Sequence, residues 1–147
     1  MLAFAASGLM MTRQQVLDLI GQHGTPFDLE CVGVKYTVDF NCTPKTIDNR
    51  VVYELGRNDV EIPIVVDPSN GHIHFCDHNR LSFINSSFSQ MLRAFALVNA
   101  WDIPNDLPDA ERASLFKTRM LEIDANCFRD PEACWSTMRE EIEFGVI

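Results

Sequence analysis

Three histidines and one cysteine recur at every second position along a short stretch of the chain: His72, His74, Cys76 and His78. On a β-strand, side chains two residues apart point to the same face and lie about 7 Å apart. Imidazole and thiolate groups in such a row can bind zinc, although only neighbouring members could share one ion. The alternative is that Ile73 and Phe75 face the core while the imidazoles line the solvent side. We favour the second interpretation and predict no bound metal and no cofactor.

Neither Cys76 nor the glutamates near the C-terminal end give strong support for an enzyme. Cys76 is the only cysteine with histidines close in sequence, but no flanking motif indicates the base and oxyanion hole that a nucleophile requires. Glu140, Glu141 and Glu143 could pair for acid–base work, yet at this spacing on a helix they spread over the exposed side. We therefore predict a protein that is not an enzyme, with a metal-dependent enzyme using the 72–76 strand as the weakest alternative.

The strands that would position these residues are indicated by alternation and by turn residues. Residues 32–40 alternate between apolar and polar types, which predicts a strand with Val32 and every second residue after it facing the core. Residues 51–56 and 62–67 are two further strand candidates. The run Asp-Pro-Ser-Asn-Gly at 67–71 predicts a tight turn, which makes residues 72–76 the hairpin partner of the preceding strand.

Four helices are expected from capping signals and apolar periodicity. Residues 12–15 form a capping box before a short helix that Gly24 and Pro26 would end. Asn85, Ser86 and Ser87 offer N-caps for a central helix. Further helices are expected over 110–123 and from Asp130-Pro131-Glu132 onward, with Pro at the first helical position. Trp101 and Trp135 lie on the apolar stripes of these helices, which favours core positions over interface positions.

Length and composition then set the fold class. The chain has 147 residues and is 46% hydrophobic, enough for one domain with its own core. We predict a single α+β domain over residues 12–147, with an antiparallel or mixed curved sheet packed against helices. Residues 1–11 are apolar but lack the basic residues of a signal peptide, so we expect an N-terminal extension and initiation at Met10 or Met11.

The net charge indicates the class of partner, and the cysteine content indicates the cellular compartment. The net charge of −9 argues against binding to nucleic acid or to an anionic membrane, and it favours a protein partner with a basic surface. No run approaches the roughly 20 apolar residues of a membrane span. Five cysteines without a CxxC pair are typical of reduced thiols, which predicts a cytoplasmic protein.

The order of these elements between residues 51 and 101 resembles the SUKH superfamily of bacterial immunity proteins, and within it the fourth subfamily most. The resemblance is carried by the strands, the Gly turn and the helix start, and more faintly by the C-terminal residues: 53–56, 64–67, 69–71, 83–88, Trp135 and Glu140-Glu141. It implies an α+β protein that binds and neutralises a cognate toxin, often a nuclease or a deaminase. It supplies no catalytic residues, and it implies a structural capping role for Asn85 and Ser86.

The sequence therefore predicts a cytoplasmic immunity protein, monomeric when free, that occludes the active site or an adjoining surface of a toxin. Because apolar residues in each helix already account for a core, we expect carboxylates to form the partner-facing surface. These carboxylates are Asp59, Glu61, Asp106, Asp109, Glu111, Glu140, Glu141 and Glu143. The alternative is an acidic secretion chaperone for an exported effector, a class that usually dimerises.

Overall fold

The structure is a computed structural model that describes residues 10–101 and 103–147. The described chain has an α+β fold, as predicted. Its helices are α1 (Arg13–Ile20), α2 (Phe88–Asn99), α3 (Asp109–Ile123) and α4 (Cys134–Glu143). Its strands are β1 (Phe27–Cys31), β2 (Val34–Val38), β3 (Pro44–Ile47), β4 (Arg50–Asn58), β5 (Pro63–Val66), β6 (Ile73–Asp77) and β7 (Arg80–Asn85).

These strands form one antiparallel sheet in the order β1-β2-β4-β5-β6-β7, and β3 pairs with β4 beside that path. The long strand β4 can pair with both β2 and β3 on one edge, because its first half pairs with β3 and its last residues pair with β2. A bulge between Glu54 and Gly56 bends β4 where the two partners meet. A Cβ on Gly56 would collide with the carbonyl oxygen of Thr37, so glycine is required at the crossing.

Three hairpins in the sheet turn through two residues that both have positive φ: Val32-Gly33, Asp48-Asn49 and His78-Asn79. This is the type I′ arrangement, whose twist matches that of the flanking strands. The first turn corrects the predicted strand over 32–40, since Val32 lies in the turn with φ 51° and does not face the core. The sequence prediction also missed β1, β3 and β7. The predicted 67–71 turn is confirmed, with Gly71 at φ 77° and its N–H 2.8 Å from the Asp67 carbonyl oxygen.

The helix starts agree with the capping signals at α1 and α2, whereas α3, for which no cap was predicted, begins after Pro108 without a side-chain cap. Thr12 and Gln15 form the predicted capping box of α1, although α1 ends at Gly21 (φ 73°), before Gly24 and Pro26. Helix α4 is the exception, because it begins at Cys134 and not at Asp130-Pro131-Glu132. The Asp130 carboxylate accepts a hydrogen bond from the Glu132 N–H (2.9 Å), and the backbone carbonyl of Asp130 accepts one from the Ser136 hydroxyl (2.8 Å). These bonds stabilise a turn ahead of the helix.

The main core lies between the four helices and one face of the sheet. Trp135 is fully buried in it, with its ring edge-on to Phe95 at 5.6 Å, so the predicted core position of Trp135 is confirmed. Trp101 is half-buried and packs on Phe116 at 5.4 Å. A smaller apolar cluster on the opposite face of the sheet contains strand residues alone: Ile47, Val52, Val65, Cys76 and Leu81. None of the described helices is long and apolar enough to cross a membrane.

Candidate protein-interaction site

The histidine strand assembles only part of the row that its spacing suggested, with the rings of His72 and His74 side by side at 6.4 Å. Ile73 is buried in the main core and Phe75 packs against it, which confirms that these two residues face inward. Cys76 is buried in the smaller cluster on the other face, and His78 has left the strand for the turn, with φ 49°. Across the residues that the structure describes, no three His, Cys, Asp or Glu side chains converge as metal ligands would.

His74 is held as a neutral ring on the outer face of the sheet. Its imidazole meets the Phe83 ring edge-on at 5.6 Å, and its Nδ1 is buried without a hydrogen-bond partner among the described residues. Burial lowers the pKa of His74 to about 4, and the nearby Asp67 carboxylate opposes this only in part. His74 is therefore uncharged near neutral pH and adds no positive charge to this face.

Three of the carboxylates that the structure describes are buried, and each has partners that stabilise its charge. Glu54 is paired with Arg57 at 2.5 Å and with Lys45 at 3.7 Å. Asp67 is paired with Arg50 at 3.1 Å. These groups are satisfied within the fold, so we assign them to structure and not to chemistry.

The third buried carboxylate, Asp124, organises the segment for which we predicted capping. Its Oδ2 accepts hydrogen bonds from Asn85 Nδ2 (3.0 Å) and the Ser86 N–H (2.8 Å). Its Oδ1 accepts from the Ser86 hydroxyl (2.9 Å) and the Asn126 N–H (3.0 Å). Trp135 Nε1 donates to Asn85 Oδ1 at 3.0 Å, which extends the network into the core.

This network corrects the capping assignment. Ser87 alone caps α2, by accepting a hydrogen bond from the Gln90 N–H at 3.2 Å. Asn85 and Ser86 instead tie the end of β7 to the end of α3. Burial by itself would raise the pKa of Asp124, but the hydrogen bonds from Asn85, Ser86 and Asn126 outweigh it and hold the pKa below its usual value. The segment is therefore structural, through a partner that sequence reasoning did not identify.

A cavity of about 230 Å³ lies where the end of α2 meets α3 and α4. Its walls are mostly apolar and include one guanidinium group: Val32, Val98, Trp101, Arg112, Met138, Ile142 and Ile147. Arg112 pairs with Asp109 at 3.5 Å, while its Nε is buried and has no hydrogen-bond partner among the described residues. We call this cavity and the two segments that flank it, residues 106–112 and 139–147, the corner.

Six of the eight predicted carboxylates lie in the corner. Asp106 lies in the turn before α3, and Asp109 and Glu111 lie in the first turn of α3. The remaining three lie at the end of α4: Glu140, Glu141 and Glu143. The two groups are adjacent, because a Cβ on Gly145 would lie 2.8 Å from Asp109 Oδ2. Arg112 and Arg139 each pair with one of the six, so the carboxylates stay in excess.

The other two predicted carboxylates lie elsewhere. Asp59 and Glu61 are exposed on the turn between β4 and β5. Glu61 is paired with Arg57 at 2.9 Å, so its charge is partly compensated. The structure therefore separates the eight carboxylates into one large group and one small group, and the large group lies in the two segments that flank the cavity.

The corner also exposes apolar side chains on an ordered backbone. Phe144 is 77% exposed, Val146 69% and Ile147 43%, and Val32 is 50% exposed at the cavity. The chain after α4 is held by a Schellman motif, in which the Gly145 N–H bonds to the Ile142 carbonyl and the Val146 N–H to the Glu141 carbonyl at 2.8 Å. Gly145 has φ 71°, as this motif requires.

Sequence reasoning missed the apolar part of the corner. Val32 was assigned to the core, and Phe144, Val146 and Ile147 were not considered. The available signal was the apolar run Phe144-Gly145-Val146-Ile147 directly after the acidic end of α4, because exposed apolar residues next to charge are typical of interfaces.

Comparison of the chain with models of protein families, with curated proteins and with solved structures gives no match. The resemblance of residues 83–88 to the SUKH superfamily therefore stays a prediction. What the site can do is argued from its own geometry.

Proposed function

We propose that the protein is a cytoplasmic immunity protein that binds a cognate bacterial toxin and neutralises it by covering the active site or an adjoining surface. The observation that carries this proposal is the corner, where six carboxylates lie in the two segments that flank an apolar cavity, together with exposed apolar side chains. An apolar centre with a charged rim is the usual composition of a protein–protein interface. The immunity role itself is supported by the SUKH-like run at 83–88.

The sign of the charge supports a toxin that acts on nucleic acid, such as a nuclease or a nucleobase deaminase. Such an enzyme presents basic residues to its substrate, and a carboxylate-rich partner is steered to the same residues. A partner bound there blocks the substrate without any chemistry of its own. In this proposal the free protein is a monomer. Its carboxylates speed the encounter with the toxin and fix the orientation in which the two proteins bind.

Co-expression with the toxin encoded by the adjacent reading frame tests the proposal. We expect growth to be restored and a stoichiometric complex with the toxin's C-terminal domain to be isolated. The association rate should fall as salt rises from about 50 to 150 mM, because exposed charges are screened. No rescue together with no complex refutes the proposal, and a stable dimer that instead binds an exported effector supports the chaperone alternative.

Charge reversal locates the surface within the same experiment. Glu140→Lys with Glu143→Lys should slow association about tenfold or more, the scale of electrostatic steering. Asp18→Lys with Asp28→Lys reverses two exposed carboxylates on α1 and β1, so it is the control with the same change of net charge and should change the rate little. If Asp59→Lys slows association and the α4 variant does not, the β4–β5 turn is the toxin-facing surface and our assignment of the corner is wrong.

A further inference from the structure

Val32 occupies a position that its turn disfavours. It is the first residue of the two-residue β1–β2 turn, with φ 51°, and Gly33 follows with φ 77°. Type I′ turns favour Asn-Gly or Asp-Gly, and a β-branched residue at positive φ is an outlier because its Cβ crowds the backbone. The other two turns of this kind follow the rule more closely, since Asp48-Asn49 and His78-Asn79 contain no β-branched residue.

The folded monomer gains little from this strained valine. Its side chain is 50% exposed at the edge of the cavity, so about half of its apolar surface still contacts water. Strained and exposed residues of this kind are found where a binding site requires a particular side chain. The contact that Val32 lacks in the monomer is one that a partner can supply.

The cavity limits the size of what can enter it. Its volume of about 230 Å³ is below the range of roughly 300 to 1,000 Å³ typical of small-molecule and cofactor sites. Val98, Met138 and Ile142 form an apolar lining beside Trp101. This volume and lining suit a single large apolar side chain inserted from another protein, the usual anchor of an interface.

The charges around the cavity indicate which residues of the partner should lie next to the inserted apolar side chain. Arg112 is the guanidinium in the wall, and its charge is opposed by Asp109 at 3.5 Å. Glu141 and Glu143 flank the lining residue Ile142 in α4, so with Asp109 in α3 they give the cavity a negative rim on the side of these two helices. A partner segment with Lys or Arg on either side of its apolar residue complements this rim, whereas an acidic segment is repelled.

We infer that the corner cavity receives one apolar side chain flanked by basic residues from a partner protein, and that Val32 is a specificity-determining residue of this contact. The inference rests on the proposed function for the class of partner. Val32→Asn gives the preferred Asn-Gly turn, so this variant should fold at least as well as the parent chain and Tm should rise by about 2 to 4 °C.

Peptide titrations followed by ¹H–¹⁵N NMR test the inference without the toxin. The probes are Lys-Lys-Gly-Leu-Gly-Lys-Lys, the same peptide with Ser in place of Leu, and Glu-Glu-Gly-Leu-Gly-Glu-Glu. We expect the Leu peptide to bind about fivefold more tightly than the Ser peptide, to shift the Trp101 indole and Ile142 signals, and to lose this preference in Val32→Asn. Val60→Asn is the matched control, since Val60 is 68% exposed on the β4–β5 turn and should keep the preference.

Equal binding of the Leu and Ser peptides overturns the inference, as does unchanged selectivity in Val32→Asn. Tighter binding of the acidic peptide also overturns it, because Arg112 would then be the dominant attraction. With the toxin domain itself, Val32→Asn should weaken binding about tenfold, equivalent to about 1.4 kcal/mol. If the parent chain binds the toxin but Val32→Asn does so equally well, the inference fails and the proposed function stands. If the parent chain ignores the toxin but selects the basic Leu peptide, the proposed function fails and the inference stands.

Discussion

Replacing Asp124 with Asn keeps the size of the side chain but removes its charge and one of its two acceptor oxygens. The carboxylate now accepts four hydrogen bonds, two on each oxygen, from Asn85, Ser86 and Asn126. In either orientation of the amide, two of these donors would face an NH₂ group. The Ser86 hydroxyl can rotate to accept, but a backbone N–H cannot. An unsatisfied buried donor costs about 1 to 3 kcal/mol, and the loss of charge weakens the remaining bonds, so we expect destabilisation by about 2 to 4 kcal/mol.

Urea unfolding at pH 7, followed by circular dichroism and tryptophan fluorescence, measures this loss. Glu122→Gln is the matched control, because Glu122 is exposed on α3 and the substitution removes the same charge. It should change the free energy of unfolding by less than about 0.5 kcal/mol. A loss below about 1 kcal/mol for Asp124→Asn would show that the network does not hold α3 against β7, and our assignment would be wrong.

The difference in stability between the parent chain and Asp124→Asn should also depend on pH. Because the folded pKa of Asp124 lies below its usual value, its contribution to stability is complete above about pH 4 and is lost as pH falls through the folded pKa. The parent chain should therefore lose stability below about pH 4, and the difference between parent and Asp124→Asn should shrink there. A difference that stayed constant down to pH 2 would contradict the assigned ionisation.

Three further outcomes are expected. Ser87→Ala should cost about 1 kcal/mol in urea unfolding, the usual value for an N-cap, and the folded variant should bind its partner as the parent does; lost affinity at an unchanged unfolding midpoint would make the segment a contact site. Addition of a chelator should leave Tm unchanged, and a large fall together with zinc found by elemental analysis would overturn our interpretation of His72, His74 and Cys76. Thiol labelling at pH 8 should be slow in the native protein and fast in urea, because burial raises the pKa of Cys31 and of Cys127 to about 12; fast native labelling would indicate that these thiols are accessible.

Elements with a strong local signal could be predicted from the sequence. The 67–71 turn has Pro, Asn and Gly in positions that suit one turn type, and the capping box at Thr12 satisfies backbone donors within its own helix. Strand β3 was missed because it is short and only its last residue is buried, and β7 because its buried and exposed positions do not alternate. Strand β1 was missed although Phe27, Leu29 and Cys31 alternate with Asp28 and Glu30. The Val32-Gly33 turn lacks the usual residue pair, so the alternation appeared to continue through it.

The start of α4 illustrates a strong local signal that tertiary structure overrides. Asp130-Pro131-Glu132 carries the residue types of a helix start. In the fold, the Asp130 carboxylate caps a turn and its carbonyl is bonded to Ser136, while Trp135 Nε1 is bonded to Asn85. These long-range and turn contacts fix the backbone ahead of the helix, and no local rule contains them.

The candidate site was predictable in composition but not in arrangement. That carboxylates such as Glu140 and Asp109 are surface residues follows from their type. That they lie beside one another depends on the contact between the start of α3 and the end of α4, with Gly145 against Asp109. The cavity could not be predicted either, because it is formed by four separate segments of the chain.

The distribution of stabilising contacts explains why the corner is suited to binding. The Asp124 network and the aromatic cluster around Trp135 fix the helices against the sheet, and their polar groups are satisfied. The corner has the opposite character, with a strained Val32, carboxylates in excess and exposed apolar side chains. Each of these features is unfavourable in the isolated chain, and in our proposal it becomes favourable when a basic partner covers it. Stability and binding should therefore respond to different substitutions. Asp124→Asn should lower the stability and leave the affinity of the folded fraction unchanged. Val32→Asn should raise the stability and weaken binding.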